Sequence, residues 1–157
     1  MVKALENAIS AGVRVAFDPN YRPKGWPNRQ IAAEAIDEMY RICHIALPGL
    51  NDERALYGTM DAAAAVARIA DLGVTEICLK DGDNGCFLQN GDSLLNVPAL
   101  STVKPVDTTA AGDSFNAAYL FSRLSGESQA GAADAGNRLA AQVIKYPGAV
   151  IPLKAMP

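Results

Sequence analysis

The sequence predicts an α/β fold, in which a mainly parallel sheet carries helices on both faces. Short β-branched runs alternate along the chain with segments whose apolar residues recur at helical spacing. The chain has 157 residues, close to the roughly 150 residues of one average domain. Half of its residues are apolar and 20% are charged, a composition typical of chains that bury a core. Since no linker or composition shift divides the sequence, we expect residues 1–157 to form one domain.

Each predicted element has a local signal. A β-branched run after Gly12 predicts the first strand, Pro48-Gly49 closes the second, and Asn90-Gly91 is a typical hairpin turn. Asn28 and Asp61 are helix start signals. The predicted strands cover residues 13–17, 44–47, 75–79, 85–88 and 93–97. The predicted helices cover residues 31–42, 52–57, 62–72, 112–124 and 128–145.

Polar or turn-forming residues follow the first three predicted strands. They occupy residues 18–22 (DPNYR), 48–52 (PGLND) and 80–85 (KDGDNG). Ligands of parallel α/β sheets bind beyond the carboxyl ends of the strands. We therefore expect these three loops to meet at one edge of the sheet and to line a site.

Charge and composition exclude several classes of protein. Fourteen basic and seventeen acidic residues give a net charge of −3 without a basic stripe, so we expect no nucleic-acid partner. No apolar run approaches the roughly 18 residues of a membrane span, and residues 1–15 lack the apolar stretch of a signal peptide. We therefore expect a cytoplasmic protein whose Cys43, Cys78 and Cys86 are reduced thiols of the core. The single histidine and the lack of Cys-x-x-Cys exclude the common zinc sites.

The segment most informative about function is residues 107–115, DTTAAGDSF. Its small residues let the backbone approach a ligand, and the N–H groups and dipole of the helix that begins here favour an anion. Asp113, at the same helix start, would stay ionised and could accept a proton beside that anion. This pairing suits phosphoryl transfer to a hydroxyl, because amides stabilise the phosphate charge while the aspartate deprotonates the nucleophile. The alternative interpretation is an N-cap aspartate on an ordinary helix.

Other catalytic motifs are absent or incomplete. The sequence contains neither G-x-x-x-x-G-K-[ST] nor G-x-G-x-x-G. Residues 112–116 do not match the G-x-S-x-G nucleophile elbow, because residue 116 is Asn. In addition, His44 lies upstream of this segment. A hydrolase is therefore not favoured.

Residues 107–120, DTTAAGDSFNAAYL, resemble the signature of the ribokinase-like (PfkB) carbohydrate kinases throughout its length. Within that family the chain is similar to the bacterial 2-keto-3-deoxygluconate kinases in residues 17–23 with Trp26, in the loop 80–85 and in the closing residues 143–152. The resemblance covers nearly the whole chain but only about the C-terminal half of such a kinase. It implies a ribokinase-like fold of the nucleotide-binding and catalytic half, without the N-terminal half and its small β lid.

The resemblance also implies roles for individual residues. Asp113 is the expected catalytic base and contacts the substrate, and the backbone N–H groups of Ala110, Ala111 and Gly112 are expected to form the anion hole. Arg22 is expected to anchor the substrate, since its planar guanidinium suits a carboxylate. The expected nucleotide-side residues are Asn20, Lys80, Gly82, Gly85 and Asn137. For Arg22, Lys80 and Asn137 the alternative is an ordinary turn or surface position.

The resemblance implies ATP and Mg²⁺ as well, and a monovalent cation such as K⁺ near Asp107 and Gly148. Many relatives carry an Asn-x-x-Glu pair after the second strand. Here that place reads Gly49-Leu-Asn-Asp52, so Asp52 takes the place of the glutamate and Gly49 offers no side chain. The metal ligands therefore stay unassigned, and Mg²⁺ would be held largely by ATP phosphates and water.

From the resemblance we expect an ATP-dependent carbohydrate kinase that converts 2-keto-3-deoxygluconate to its 6-phosphate. A fructokinase or another PfkB sugar kinase is the alternative enzyme, since fructokinases share the Asp-Pro-Asn-x-Arg type of loop. The alternative from another class is an inactive nucleotide-binding fragment, because half a site turns over poorly. Loss of neighbouring strands would leave an open sheet edge, so we also expect self-association or an N-terminal partner half.

Overall fold

Five strands form one sheet, in the order in which they occur along the chain. They are β1 (Ala16–Phe17), β2 (Ile45–Ala46), β3 (Glu76–Lys80), β4 (Cys86–Asn90) and β5 (Ser93–Val97). β1, β2 and β3 are parallel, with Ala16 opposite Ile45 and Ile45 opposite Glu76, which confirms the predicted parallel sheet.

The computed structural model describes residues 2–90, 93–100 and 104–156, so Gly91 of the predicted hairpin turn lies outside the described residues.

Two of the helices begin at the predicted cap residues, whereas the helix predicted at residues 52–57 begins two residues earlier, at Leu50. Asn28 accepts a hydrogen bond from the Ile31 N–H at 2.9 Å, and Asp61 accepts one from the Ala64 N–H at 2.8 Å. Within the described ranges, no helix is long and apolar enough to cross a membrane. The helices are α1 (Val2–Ser10), α2 (Arg29–Tyr40), α3 (Leu50–Tyr57), α4 (Ala62–Asp71), α5 (Ala111–Leu124) and α6 (Gln129–Val143).

β1 is shorter than the strand predicted at residues 13–17. Val13 is 52% exposed, whereas Val15 is buried and its carbonyl accepts hydrogen bonds from the N–H groups of His44 and Ile45. β1 lies at the edge of the sheet and has β2 as its neighbour on one side only. The β-branched run therefore predicts a longer strand than the structure has, because its first residues do not pair with a neighbouring strand.

The described residues divide into two compact units. Unit 1 extends to Asp81 and includes Gln89–Leu95, and unit 2 comprises Gly82–Leu88 and the residues from Asn96 onward. The three cysteines of the two units are buried and form no disulfide, which confirms the prediction of reduced core thiols.

Unit 2 is built around the contact between α5 and α6. The Phe115 and Tyr119 rings of α5 are buried and stack with their centroids 6.1 Å apart. Gly136 of α6 faces this stack, and a Cβ added there would lie 2.7 Å from Cδ2 of Phe115. Since neither the helix backbone nor the buried ring can move far, glycine is what permits this close packing.

Replacing Gly136 with alanine is therefore expected to lower the free energy of unfolding by about 1–3 kcal/mol, the usual cost of overpacking a core. Urea unfolding followed by circular dichroism measures the change. Gly131→Ala in the same helix is the matched control, since its new Cβ would meet the flexible Glu127 carboxylate at 3.2 Å and alanine favours helix. Equal stability of the two variants would contradict the close packing.

Candidate active site

In unit 1, residues at the carboxyl ends of β1, β2 and β3 and just beyond them come together. The Lys80 Nζ donates to Asp18 Oδ2 at 2.7 Å, and the Lys80 N–H donates to the Pro48 carbonyl at 2.8 Å. Asp52 of α3 lies close enough to both Lys80 and Arg22 for their charges to change its pKa. The predicted convergence of the three loops is thus confirmed for their residues in unit 1. We call Asp18, Arg22, Asp52 and Lys80 the strand-end cluster.

Asp52 is partly buried within this cluster. Burial raises the pKa of its carboxyl, and the Arg22 guanidinium opposes that effect. The Asp18 carboxylate raises the pKa further, whereas a hydrogen bond from the Tyr21 backbone N–H and the Lys80 ammonium lower it. With two cations and two carboxylates, the strand-end cluster can bind an anionic substrate group or a hard metal ion.

The loop after β1 exposes Arg22. Asn20 has a left-handed backbone with a φ of 41°, and its N–H donates to Asp18 Oδ1 at 3.0 Å. A left-handed backbone costs energy in a residue other than glycine, and the hydrogen bond to aspartate offsets part of that cost. The Arg22 Nη1 donates to the Tyr21 carbonyl at 2.9 Å. An exposed guanidinium anchored in this way can bind a carboxylate or a phosphate through its planar fork.

In unit 2, the segment predicted to bind an anion forms a tight turn into α5. Ala110 caps the helix in a left-handed conformation with a φ of 61°, and α5 begins at Ala111. The N–H groups of Gly112 and Asp113 lie in the first turn, where a helix offers them no acceptor. The Ala111 N–H donates to the Thr108 carbonyl at 3.2 Å, so a ligand would have to replace that bond. Asp113 is exposed, which leaves the predicted base accessible.

Asp107 connects the beginning of this turn to the loop at Gly148 through hydrogen bonds. Its Oδ1 accepts from the hydroxyl and the N–H of Thr109 at 2.7 and 2.9 Å, and its Oδ2 accepts from the Gly148 N–H at 2.8 Å. The Thr109 hydroxyl, followed by the two amides, lowers the pKa of Asp107 by favouring its ionised form. The two residues expected near a monovalent cation are thus in direct contact with each other.

Replacing Asp107 with alanine is expected to speed hydrogen exchange at the Thr109 and Gly148 amides, because both lose their acceptor. The stabilisation from these bonds should be complete above the unfolded-state pKa of about 3.9 and should disappear as the pH falls through the lower folded-state value. Exchange followed by NMR at neutral pH measures the change. Asp134→Ala, which removes an exposed ion pair on α6, is the control. Unchanged hydrogen exchange at the Gly148 amide would contradict the hydrogen bond between Asp107 and Gly148.

Gly85 and Asn137, both predicted on the nucleotide side, hold the segment at residues 97–99 of unit 2. Gly85 has a φ of 86°, and a Cβ added there would overlap the Val97 carbonyl oxygen. Asn137 is buried, and its Nδ2 donates to the carbonyls of Val97 and Pro98 at 3.2 and 3.1 Å. Asn137 is therefore not a surface residue, and both positions have a structural reason for their identity. Their contact with a nucleotide stays a prediction.

The predicted site residues fall into two groups. Unit 1 brings Arg22 and Lys80 together around Asp52, with Asn20 in the same loop as Arg22. Unit 2 holds the turn at residues 107–113, together with the residues just described and Gly82, which lies in an exposed 3₁₀ turn at Gly82–Asn84.

Two comparisons by sequence relate the chain to known proteins. The family model for pfkB family carbohydrate kinases matches residues 1–156. The 2-dehydro-3-deoxygluconokinase of Dickeya dadantii (strain 3937) is 43% identical over 160 residues, which cover 100% of this chain and 52% of that relative. The chain thus spans about half the length of the curated relatives it matches.

Solved structures show the same fold. The aminoimidazole riboside kinase of Salmonella enterica, complexed with aminoimidazole riboside and an ATP analog, has a TM-score of 0.84 at 28% identity, covering 94% of this chain and 51% of that one. A fructokinase double mutant of Vibrio cholerae O395, bound to fructose, ADP and potassium ion, has a TM-score of 0.83 at 25% identity, covering 94% and 49%. The predicted ribokinase-like fold is confirmed. Since the family model extends over nearly every residue, this chain belongs to the pfkB family of carbohydrate kinases.

Proposed function

We propose that this chain supplies the phosphoryl-transfer half of a sugar-acid kinase, which transfers the γ-phosphate of ATP to 2-keto-3-deoxygluconate (2-dehydro-3-deoxygluconate). The observation that carries the proposal is the exposed Asp113 in the first turn of α5, directly after the left-handed Ala110. This helix start offers backbone N–H groups and a positive dipole end to an anion. The 43% identity to the Dickeya dadantii 2-dehydro-3-deoxygluconokinase supports the choice of substrate.

In the proposed reaction, Asp113 is the general base. Its carboxylate accepts the proton of the primary hydroxyl while the hydroxyl oxygen attacks the γ-phosphorus. The bond between that phosphorus and the β–γ bridging oxygen breaks, ADP leaves, and the 6-phosphate forms. The backbone amides of Ala110, Ala111 and Gly112 stabilise the charge on the phosphoryl oxygens.

The donor atoms of both units suit the ions expected with ATP. Asp18 and Asp52 offer the carboxylate oxygens that Mg²⁺ prefers, and bound Mg²⁺ would neutralise charge on the ATP phosphates. The turn that Asp107 joins to Gly148 is the proposed place of a monovalent cation. The potassium ion in the Vibrio cholerae fructokinase supports such a site.

Arg22 is proposed to bind the substrate carboxylate, and Arg22→Ala is expected to raise the KM for the keto-acid about 10- to 100-fold, the value of a hydrogen bond to a charged group. The KM for ATP should change little. A coupled assay for ADP measures both constants in a chimera in which this chain replaces the matching half of the Dickeya dadantii kinase. Arg29→Ala, at an exposed position that begins α2, is the matched control. An unchanged KM for the keto-acid would remove Arg22 from the site.

A fructokinase is the second candidate, favoured by the likeness to the Vibrio cholerae fructokinase. The same chimera and assay compare fructose with the keto-acid at equal concentration. Faster phosphorylation of fructose would overturn the proposed substrate.

An inactive nucleotide-binding fragment is the candidate from another class. It is favoured by the chain's coverage of about half of its relatives, since catalysis needs both reactants held in a site that excludes water. Calorimetric titration of the 157-residue chain with ATP, beside the turnover assay, distinguishes the two. Binding without turnover supports the fragment. Self-association of the chain also stays a prediction, and light scattering tests it.

A further inference from the structure

One side of α5 in unit 2 presents apolar side chains to solvent. Ala117, Phe121 and Leu124 follow Asp113 at intervals of four, four and three residues, the spacing that places side chains along one face of a helix. Phe121 is 73% exposed, Leu124 is 87% exposed, and Ala117 is exposed as well. We call Ala117, Phe121 and Leu124 the apolar α5 face.

The apolar α5 face lies on the side of the helix away from α6. Phe115 and Tyr119 are the buried residues of α5, and the Phe115 ring lies against Gly136 of α6. At 100° per residue, these two rings point roughly 120° or more away from each member of the apolar α5 face. The helix therefore buries one side against α6 and leaves an apolar side exposed.

Charged side chains do not account for this surface. Asp113 and Arg123 are the charged residues of α5, and the partly buried Arg123 donates through Nη1 to the Glu127 carbonyl. A helix at a protein surface normally presents charged and polar residues opposite its buried side. An exposed phenylalanine and leucine in that place are typical of an interaction site, whose centre is poor in charge and rich in aromatic residues.

The position of Asp113 restricts what can cover this face. Asp113 lies at one end of the same side of α5, about 16 Å along the helix axis from Leu124. A partner that covers the apolar α5 face therefore also approaches the proposed base. Catalysis needs a partner that holds the substrate hydroxyl there and excludes water. A second copy of this chain would cover Asp113 without supplying the other half of the site.

The relatives carry a partner of suitable size. The chain covers 52% of the Dickeya dadantii kinase and 51% of the Salmonella enterica kinase, so about half of each has no counterpart here. The resemblance of this chain to the C-terminal half of such kinases identifies the other half as the N-terminal one. Its size, comparable to that of this chain, is ample to cover two turns of one helix.

We propose that the apolar α5 face is the docking surface for the N-terminal half of a pfkB carbohydrate kinase. Phe121 and Leu124 become buried when that half docks, and the docked half closes the site over Asp113. The inference rests on the proposed function in taking this chain as one half of a kinase. It does not depend on which sugar acid is the substrate or on Asp113 as the base.

Cysteine labelling tests the proposal without ATP, substrate or turnover. Phe121→Cys is made in the isolated chain and in the chimera with the Dickeya dadantii kinase, and iodoacetamide labelling at residue 121 is followed by peptide mass spectrometry. The three native cysteines are buried, so they compete little for the reagent. We expect labelling to be about 100-fold or more slower in the chimera, because the docked half must open before the reagent reaches the thiol.

Leu153→Cys is the matched control. Leu153 is an 89% exposed leucine of unit 2 outside the apolar α5 face, so its variant should label equally fast in the isolated chain and in the chimera. If Phe121→Cys does not fold, Leu124→Cys gives the same comparison.

Equal labelling rates at residue 121 in the two proteins, or the same slowing at residue 153, would overturn the proposal even if the chimera is an active kinase. Slow labelling already in the isolated chain would overturn it as well, and faster labelling on dilution would identify a second copy as the occupant. Slowed labelling in a chimera that lacks kinase activity would support the docking surface and count against the proposed function.

Discussion

The Asp113→Asn variant is expected to turn over about 10²- to 10⁴-fold more slowly than the parent enzyme, which is the usual contribution of a general base. Asparagine keeps the size of the side chain but cannot accept the hydroxyl proton. The backbone amides of the turn do not depend on that side chain, so the KM for ATP should change little. The chimera with the matching half of the Dickeya dadantii kinase and the coupled assay for ADP provide the measurement.

The control for this prediction is Asp134→Asn. Asp134 is another aspartate of unit 2, in an exposed ion pair with Arg138 on α6. Its removal should leave turnover unchanged, because exposed pairs contribute little and this one lies outside the site. Unchanged turnover in Asp113→Asn would exclude Asp113 as the base, whereas a raised KM for ATP at constant turnover would make it a binding residue.

Replacing Glu53 with alanine is expected to lower the free energy of unfolding by about 3 kcal/mol, the lower end of the cost of breaking a buried ion pair. The lower end applies because the Arg68 side chain is 23% exposed and keeps Asp37 as a partner. The variant leaves the Tyr40 hydroxyl and one edge of the guanidinium without an acceptor in the core. Urea unfolding followed by circular dichroism measures the loss.

Asp134→Ala serves as the comparison in the same unfolding experiment. It also breaks an ion pair between an arginine and a carboxylate, but the two side chains are 68% and 47% exposed, so the expected loss is about 0.5 kcal/mol or less. A loss in Glu53→Ala as small as in Asp134→Ala would mean that the buried pair of Glu53 and Arg68 contributes no more to stability than an exposed pair.

Local signals along the chain predicted the parts of the fold that depend on neighbouring residues. Asn28 and Asp61 begin helices because their side chains bond to backbone N–H groups three residues later, which sequence shows directly. The meeting of Asp18 and Lys80 followed from topology alone, since parallel strands place their carboxyl ends together. The exposure of Asp113 followed from its place at a helix start.

Such local signals could not predict contacts between residues that lie far apart in the sequence. The buried Asn137 bonds to carbonyls about 40 positions earlier, a pairing that no periodicity reveals. Glu53 had a usable signal that the sequence reasoning missed. It falls at helical spacing between Leu50 and Leu56, so an acid on an apolar helix face indicated a buried, paired carboxylate.

A titration of the ¹⁵N-labelled chain with ATP, followed by its amide signals, tests most directly whether the turn into α5 holds a phosphate. We expect saturable movements of the Ala111, Gly112 and Asp113 signals, equal in Asp113→Asn and much smaller with adenosine in place of ATP. The Glu76 signal at the start of β3 should stay in place. Saturable binding of ATP that leaves the three signals unmoved, or no binding at millimolar ATP, would contradict the assignment of this turn.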